Sequence, residues 1–170
     1  MDLKSYIREI PDFPKPGIGF KDIMPLLQDK EALKEAIDAL YDAVKDKKID
    51  KIAAVESRGF ILGGALAYKM GVGFVPVRKK GKLPSKTISY SYQLEYGEDT
   101  LEMHEDALAA GEKVLILDDL LATGGTVNAV INMVEQLGGE VSLAVFLIEL
   151  TFLNGRDKLG NTPVISLIQF

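Results

Sequence analysis

A run of apolar residues, two aspartates and a glycine-rich turn at residues 114–126 restricts this chain more than any other feature. The run is Val-Leu-Ile-Leu-Asp-Asp-Leu-Leu-Ala-Thr-Gly-Gly-Thr. Its apolar start predicts a strand that is buried on both faces, as in a parallel sheet covered by helices. The apolar spacing after Thr126 predicts a helix, whose free N–H groups and dipole attract an anion held by the turn.

Two aspartates and two glycines give this run its chemical character. Asp118 and Asp119 follow the predicted strand Val114–Leu117, at the carboxyl end where open α/β sheets bind ligands. Gly124 and Gly125 allow a positive φ and a close approach of the backbone to a ligand. The run lacks a Gly-Lys-Ser/Thr ending, so it is not a Walker P-loop. Taken alone, it also fits an ordinary turn with two exposed aspartates.

A second turn of similar character occupies residues 56–60, with the sequence Glu-Ser-Arg-Gly-Phe. It lies between a predicted strand at Ile52–Val55 and a predicted helix at Phe60–Met70. The groups that can hold an anion at the start of that helix are Ser57, Arg58 and the N–H of Gly59. Taken alone, the turn fits a solvated surface arginine equally well. Together, the two turns predict two anion sites at one sheet edge, suited to a ligand with phosphate at both ends.

The order of predicted elements indicates an α/β fold with a central parallel sheet flanked by helices. Beyond the two turns, the pattern predicts a short amphipathic helix at Leu3–Ile10, a helix from its N-cap Asp29 to about Lys45, and strands at Val72–Val77, Val141–Leu150 and Pro163–Gln169. No repeat, low-complexity tract or linker interrupts the chain. We therefore expect residues 1–170 to form a single domain.

Two segments depart from the alternation of strands and helices. Residues 11 to about 21 are rich in proline and glycine but carry Phe13, Ile18 and Phe20, which indicates an irregular segment that packs. Residues 79–103 begin with basic residues and contain two stretches, Thr87–Leu94 and Thr100–Met103, that can pair as a hairpin. Such a long excursion between core strands is typical of an active-site lid.

Composition excludes several classes of function. The chain has no cysteine and a single histidine, His104, which excludes a disulfide framework, a thiolate metal site and a multi-histidine metal site. His104 has no partner motif, and we expect it at the surface or at the base of the lid. The formal net charge of −5 disfavours nucleic acid and anionic membranes as partners. We find no signal-peptide core and no apolar run of about 20 residues, and we expect a cytoplasmic protein.

Five segments together resemble the adenine branch of the type I phosphoribosyltransferases. They are Phe13–Ile23 (FPKPGIGFKDI), Glu56–Phe60 (ESRGF), Arg78–Pro84 (RKKGKLP), Leu94–Gly97 (LEYG) and Asp118–Thr126 (DDLLATGGT). The last segment is shared by the superfamily that binds 5-phosphoribosyl 1-pyrophosphate (PRPP). The first, and the basic segment followed by LEYG, are specific to the adenine branch.

The resemblance implies transfer of a phosphoribosyl group from PRPP to adenine, giving AMP and pyrophosphate. The bond from C1 to oxygen breaks with positive charge building on the ribose, so the protein must hold pyrophosphate and present the base in line. The resemblance further implies Mg²⁺, bound mainly through PRPP and water with Asp118 and Asp119 as candidate ligands, and a homodimer. It also implies a base-binding hood at about residues 1–28 and a lid at about residues 79–103.

Site residues follow from the resemblance position by position. The 5-phosphate is assigned to Ala122, Thr123, Gly124, Gly125 and Thr126, and pyrophosphate to Ser57, Arg58, Gly59, Arg78, Lys79 and Lys82. Adenine is assigned to Gly19, Phe20, Lys21 and Leu150, with Tyr96 of the lid as a cover. The catalytic candidates are Glu95, for proton handling, with Arg58, Asp118 and Asp119. Position 19 departs from the family pattern, because many relatives carry an aliphatic residue there, and this weakens one side of the base clamp.

Two other functions remain open at this point. One is the use of another base, hypoxanthine-guanine or xanthine, although those branches lack the Phe13–Ile23 segment. The other is a PRPP-sensing regulator that has kept the fold and lost the chemistry. Such a regulator needs a nucleic-acid module, and the sequence contains no added helix-turn-helix.

Overall fold

The computed structural model describes residues 1–93 and 97–170, and within them a seven-stranded sheet dominates. Its order is β5-β6-β4-β3-β7-β8-β9, with the bounds β3 Lys51–Val55, β4 Gly73–Lys79, β5 Thr87–Gln93, β6 Glu98–His104, β7 Lys113–Leu121, β8 Glu140–Glu149 and β9 Val164–Gln169. Five neighbouring strands, in the order β4-β3-β7-β8-β9, pair in parallel. The predicted mainly parallel α/β fold is confirmed.

Four helices cover both faces of this sheet. They are α1 Met24–Gln28, α2 Lys30–Val44, α3 Arg58–Met70 and α4 Gly125–Gln136. The first three pack into one buried apolar cluster with one face of the sheet, and α4 packs into a second cluster on the other face. The predicted N-cap of α2 is confirmed, because Asp29 Oδ1 accepts the N–H groups of Glu31 and Ala32 at 3.0 and 2.9 Å.

The N-terminal segment differs from the sequence prediction. In place of a helix over Leu3–Ile10, there is one 3₁₀ turn at Leu3–Tyr6, followed by a strand β1 at Arg8–Ile10. β1 pairs antiparallel with β2, Phe20–Asp22. The helical prediction was wrong because the partner strand lies beyond the proline- and glycine-rich loop, where local periodicity carries no information about it.

The predicted hairpin is confirmed, and it extends the sheet. β5 and β6 pair antiparallel from Thr87↔His104 to Gln93↔Glu98. β6 also pairs with the end of β4, through Arg78↔Glu102 and Lys79↔Leu101. The predicted lid is therefore built on the edge of the core sheet. Glu95 and Tyr96, assigned to this lid by resemblance, lie outside the described residues.

The strand that carries the acidic pair is longer than the sequence predicted. β7 continues past Leu117 to Leu121, because Leu120 and Leu121 keep pairing with Ile148 and Glu149 of β8. Asp118 and Asp119 are thus strand residues in register with a neighbour, and their backbone is fixed.

Over the described ranges 1–93 and 97–170, no helix combines the length and apolar character needed to cross a membrane.

Candidate active site

Two parallel neighbours bring both predicted anion turns to one edge of the sheet. β3 and β7 run in register, with Ala54 opposite Leu117, so the turn after β3 and the acidic pair of β7 lie side by side. Between them is a cleft of about 460 Å³. Its lining comprises Phe20, Val55, Glu56, Ser57, Arg58, Lys79, Tyr92, Asp99, Leu101, Asp118, Asp119 and Thr126.

The glycine-rich turn forms a smaller cavity of about 240 Å³ at the start of α4. Gly124 is the N-cap, with φ +85°, and its carbonyl accepts the N–H of Asn128 at 2.9 Å. The N–H groups ahead of Asn128 therefore have no acceptor within the helix, and they face the turn. Gly125 is already helical and lacks a positive φ, so the expectation of a positive φ holds for Gly124 alone.

A loop that the sequence analysis missed supports this cavity from behind. A Cβ on Gly124 would collide with the carbonyl oxygen of Gly155, and a Cβ on Gly155 would collide with the carbonyl oxygen of Ala122. Arg156 holds the loop in place by donating from Nε and Nη2 to the two carboxylate oxygens of Glu149, at 2.7 and 2.6 Å. These hydrogen bonds from Arg156 lower the pKa of Glu149.

The acidic pair combines a half-buried carboxylate, Asp118, with a buried one, Asp119. Asp119 is 6% exposed, and its N–H donates to Asp118 Oδ1 at 2.8 Å. Burial raises the pKa of Asp118 well above the ordinary aspartate value, and the neighbouring charge of Asp119 adds to the rise. Burial also raises the pKa of Asp119, while the guanidinium of Arg58 opposes that rise. The two carboxylates therefore resist carrying two negative charges in the absence of a positive partner.

Arg58 connects the acidic pair to the N-terminal hairpin. Its Nη2 lies 2.8 Å from Asp119 Oδ2, an ion pair whose angles fall outside the hydrogen-bonding range. Its Nη1 donates to the carbonyl of Lys21 at 3.1 Å, and its guanidinium lies 4.9 Å from the centre of the Phe20 ring. The arginine assigned to pyrophosphate is therefore positioned by both a carboxylate and the segment assigned to adenine.

The turn at residues 56–60 requires glycine at position 59. A Cβ on Gly59 would lie 2.9 Å from Asp118 Oδ1, so glycine here permits α3 to approach the acidic pair. Ser57 is the N-cap of α3 and lines the cleft. The peptide bond between Glu56 and Ser57 is cis.

Only part of the predicted basic cluster faces the cleft. Lys79 lines it, and its Nζ lies 3.3 Å from Asp99 Oδ2. Arg78 instead lies with Nε 3.3 Å from Glu56 Oε1. Lys82 is exposed, and its carbonyl is 3.5 Å from Arg78 Nη1. The assignment of Arg78 and Lys82 to pyrophosphate thus lacks direct geometric support in the single chain, because the Glu56 carboxylate holds Arg78 aside.

The residues assigned to adenine lie in two places. Phe20 lines the cleft next to Arg58, whereas Leu150 is 8% exposed and follows β8, with its N–H bonded to the Leu121 carbonyl at 2.9 Å. The side chain of Lys21 faces away from Phe20, and its Nζ lies 3.0 Å from Glu9 Oε2. A Cβ on Gly19 would lie 2.8 Å from Glu9 Oε1. The Glu9 carboxylate therefore occupies the space that an aliphatic residue 19 would fill.

One tyrosine of the hairpin reaches the glycine-rich turn, and the sequence analysis missed it. Tyr92 Oη lies 3.1 Å from Thr126 Oγ1. The signal available in the sequence was the alternation of Tyr90 and Tyr92 along β5, which places both rings on one face. That signal identifies the face and not the partner.

His104 lies at the base of the β5/β6 hairpin, opposite Thr87, as the sequence predicted. Nε2 of His104 is enclosed and has no hydrogen-bond partner among the described residues, at the end of β6 away from the cleft. In the part of the chain that the structure describes, no group of three or more histidine, cysteine, aspartate or glutamate side chains is gathered to hold a metal ion.

Comparisons with known proteins agree with this geometry. The phosphoribosyl transferase domain family matches residues 25–160. The chain is 58% identical to the adenine phosphoribosyltransferase of Clostridium acetobutylicum over 170 residues, which is 100% of this chain and 99% of that relative.

Solved structures show the same similarity. The adenine phosphoribosyltransferase of Thermoanaerobacter pseudethanolicus superposes with a TM-score of 0.98 at 58% identity, covering 99% of this chain and 98% of that one. The Saccharomyces cerevisiae enzyme, complexed with D-2,5-dideoxy-2,5-imino-altritol 1,6-bisphosphate and adenine, gives 0.90 at 44% identity, covering 96% and 94%. The chain therefore belongs to the adenine phosphoribosyltransferase family.

Proposed function

We propose that this protein salvages adenine by transferring the phosphoribosyl group of PRPP to it, giving AMP and pyrophosphate. The observation that carries the proposal is the pairing of two helix N-termini at one sheet edge, with the acidic pair between them. A ligand with phosphate groups at both ends fits such an edge. The bisphosphate bound by the yeast relative has that property.

The acidic pair suits the charge that develops during the reaction. As the bond from C1 to the pyrophosphate oxygen breaks, positive charge builds on the ribose while the pyrophosphate becomes more negative. Asp118 and Asp119 lie between the two anion turns and stabilise the positive charge, because buried carboxylates interact strongly with a nearby cation. Ser57, Arg58 and Lys79 hold the departing pyrophosphate.

The site fits Mg²⁺ only in partnership with the substrate. The acidic pair offers two carboxylates, and that of Asp119 is already paired with Arg58. Mg²⁺ retains several waters and takes few protein ligands when phosphates are present. We propose that Asp118 and Asp119 contact the ion directly or through water. When bound, Mg²⁺ neutralises charge on the pyrophosphate oxygens.

The adenine site is proposed at Gly19–Lys21, with Phe20 against one face of the ring; Leu150, which lies outside the cleft, is proposed for the other face on resemblance alone. Phe20 already lies beside Arg58, and Arg58 fixes the carbonyl of Lys21. The same arginine that contacts the acidic pair thus orders the backbone proposed to bind adenine. Proton handling is proposed for Glu95 and covering of the site for Tyr96, both on resemblance.

Assembly and location complete the proposal. One face of α3 leaves two large side chains in solvent, Ile61 at 47% and Tyr68 at 91% exposed. Phe74 of β4, whose ring contacts that of Phe60 in α3, is 37% exposed. We propose that a second copy of the chain covers this face in a homodimer.

We also propose a cytoplasmic location, since a chain without cysteine gains nothing from an oxidising compartment.

The direct test is a turnover assay with adenine, PRPP and Mg²⁺. We expect AMP and pyrophosphate in equal amounts and none of either when PRPP is replaced by ribose 5-phosphate. A protein that binds PRPP without forming AMP is instead the PRPP-sensing regulator.

A further inference from the structure

Tyr92 joins the hairpin to the glycine-rich turn through its hydroxyl. Its Oη lies 3.1 Å from Thr126 Oγ1, and its ring contacts Gly125, where a Cβ would lie 3.2 Å from Tyr92 Cδ2. The ring also packs against the buried cluster under α4. Tyr92 and Thr126 line the same cleft. The hydroxyl is therefore anchored by its ring and directed at one partner.

The direction of this hydrogen bond follows from what the threonine must do when a phosphate is bound. A hydroxyl has one proton to donate and two lone pairs to accept with. The oxygens of a phosphate dianion only accept, so Thr126 must give its proton to the phosphate. Tyr92 must then donate to Thr126 Oγ1. The resulting chain from Tyr92 through Thr126 to the phosphate has every donor paired, and each bond polarises the next.

We propose that Tyr92 is a positioning residue of the 5-phosphate site, whose hydroxyl donates to Thr126 Oγ1 and directs the Thr126 proton at the phosphate. This inference rests on the proposed assignment of residues 122–126 to the 5-phosphate. Through Tyr92, the hairpin contacts the proposed phosphate site. Burial raises the pKa of the Tyr92 phenol, which keeps its proton available.

The test compares two tyrosines of the same strand. Tyr92→Phe keeps the ring and removes only the hydroxyl. Tyr90→Phe makes the same change two residues earlier on the same face, where the ring packs against the same cluster. For Tyr92→Phe we expect the KM for PRPP and the Kd for ribose 5-phosphate to rise about fivefold to tenfold, the magnitude of one hydrogen bond. We expect kcat and the KM for adenine to change less than twofold, and Tyr90→Phe to match the wild type.

A double-mutant cycle separates positioning from general packing. Thr126→Val removes the acceptor, so Tyr92→Phe should cost nothing further in that background, whereas Thr126→Ser should retain the full effect of Tyr92→Phe. Thermal unfolding without ligand controls for folding. Unchanged or tighter phosphate binding in Tyr92→Phe, or additive effects in the cycle, would overturn the proposal. Normal ribose 5-phosphate binding by Thr126→Val would show that the Thr126 hydroxyl does not reach the phosphate and would likewise overturn the proposal, whereas loss of binding in Gly124→Ala alone would leave the 5-phosphate assignment standing.

Discussion

At the scale of single residues, the proposed chemistry depends on Asp118, a carboxylate whose charged form is disfavoured by its surroundings in the folded protein. Asp118 has a raised pKa, mainly through burial and then through the charge of Asp119. Arg58 offsets this for Asp119 by direct contact. The sequence identified both aspartates, but not the close approach of α3 to Asp118, which Gly59 makes possible.

Asp118→Asn should stabilise the protein and lower its turnover. Because the pKa of Asp118 is higher in the folded state than in the unfolded state, folding takes up a proton between the two values. The free energy of unfolding therefore falls as pH rises through that window, and at neutral pH the charged carboxylate is a penalty. We expect Tm to rise by a few degrees at pH 7, since about 1 kcal/mol corresponds to roughly 2–4 °C.

The kinetics of the same variant provide the second half of this prediction. The kcat/KM of the wild type, which reports the ligand-free enzyme, should fall on the acid side with an apparent pKa above the ordinary aspartate value of 3.8. Asp118→Asn should lower kcat more than it weakens PRPP binding. A raised KM with normal kcat would assign Asp118 to ground-state contacts with the ribose. A lower Tm for Asp118→Asn would contradict the buried-charge account.

Gly124→Ala should damage both binding and stability. Position 124 has a positive φ, which costs a residue with a Cβ about 1 kcal/mol of backbone strain. The Cβ would also collide with the Gly155 carbonyl. The matched control is Gly111→Ala, which has φ +80° and open space around the Cβ. We expect a larger fall in Tm for Gly124→Ala and a loss of PRPP binding in that variant alone. Equal effects of the two changes would mean that the collision is relieved without cost.

At the scale of elements, the sequence predicted those helices and strands that are marked by a pattern within their own residues. The buried strand at 114–117, the helix capped by Asp29 and the β5/β6 hairpin each carry their own pattern. β1 could not be predicted, because Arg8–Ile10 becomes a strand only by pairing with Phe20–Asp22. The end of β7 likewise depends on β8. The Gly124–Gly155 contact joins distant residues that share no sequence signature.

The hairpin should respond to substrate through its described contacts. Residues 79–103 carry Lys79, which lines the cleft, and Tyr92, which bonds to Thr126. PRPP gives Lys79 an anionic partner directly and fixes Tyr92 through its bond to Thr126, so we expect amide hydrogen exchange in peptides from this segment to slow when PRPP is added. Peptides from α2, on the other face of the sheet, serve as the internal reference. Equal and strong protection with and without PRPP would make the segment a rigid scaffold and remove the lid role.

At the scale of the whole molecule, one face of α3 is left uncovered by the residues that the structure describes. Tyr68 is 91% exposed and Ile61 is 47% exposed, an unusual cost for a monomer. We expect light scattering to give a dimer mass for the wild type and a monomer mass for the double variant Ile61→Glu, Tyr68→Glu, with each fold checked by circular dichroism. A monomeric wild type at micromolar concentration would contradict the dimer proposal.

The choice of base tests the central claim most directly, because it engages the purine segment, both anion turns and the acidic pair in one reaction. Adenine, hypoxanthine and guanine compete for limiting PRPP, and the products AMP, IMP and GMP are quantified. A site set for the 6-amino edge leaves a buried group unpaired with an oxopurine, at a cost of roughly 1–3 kcal/mol per group. We expect AMP as the dominant product. Comparable yields of IMP or GMP would contradict the adenine assignment.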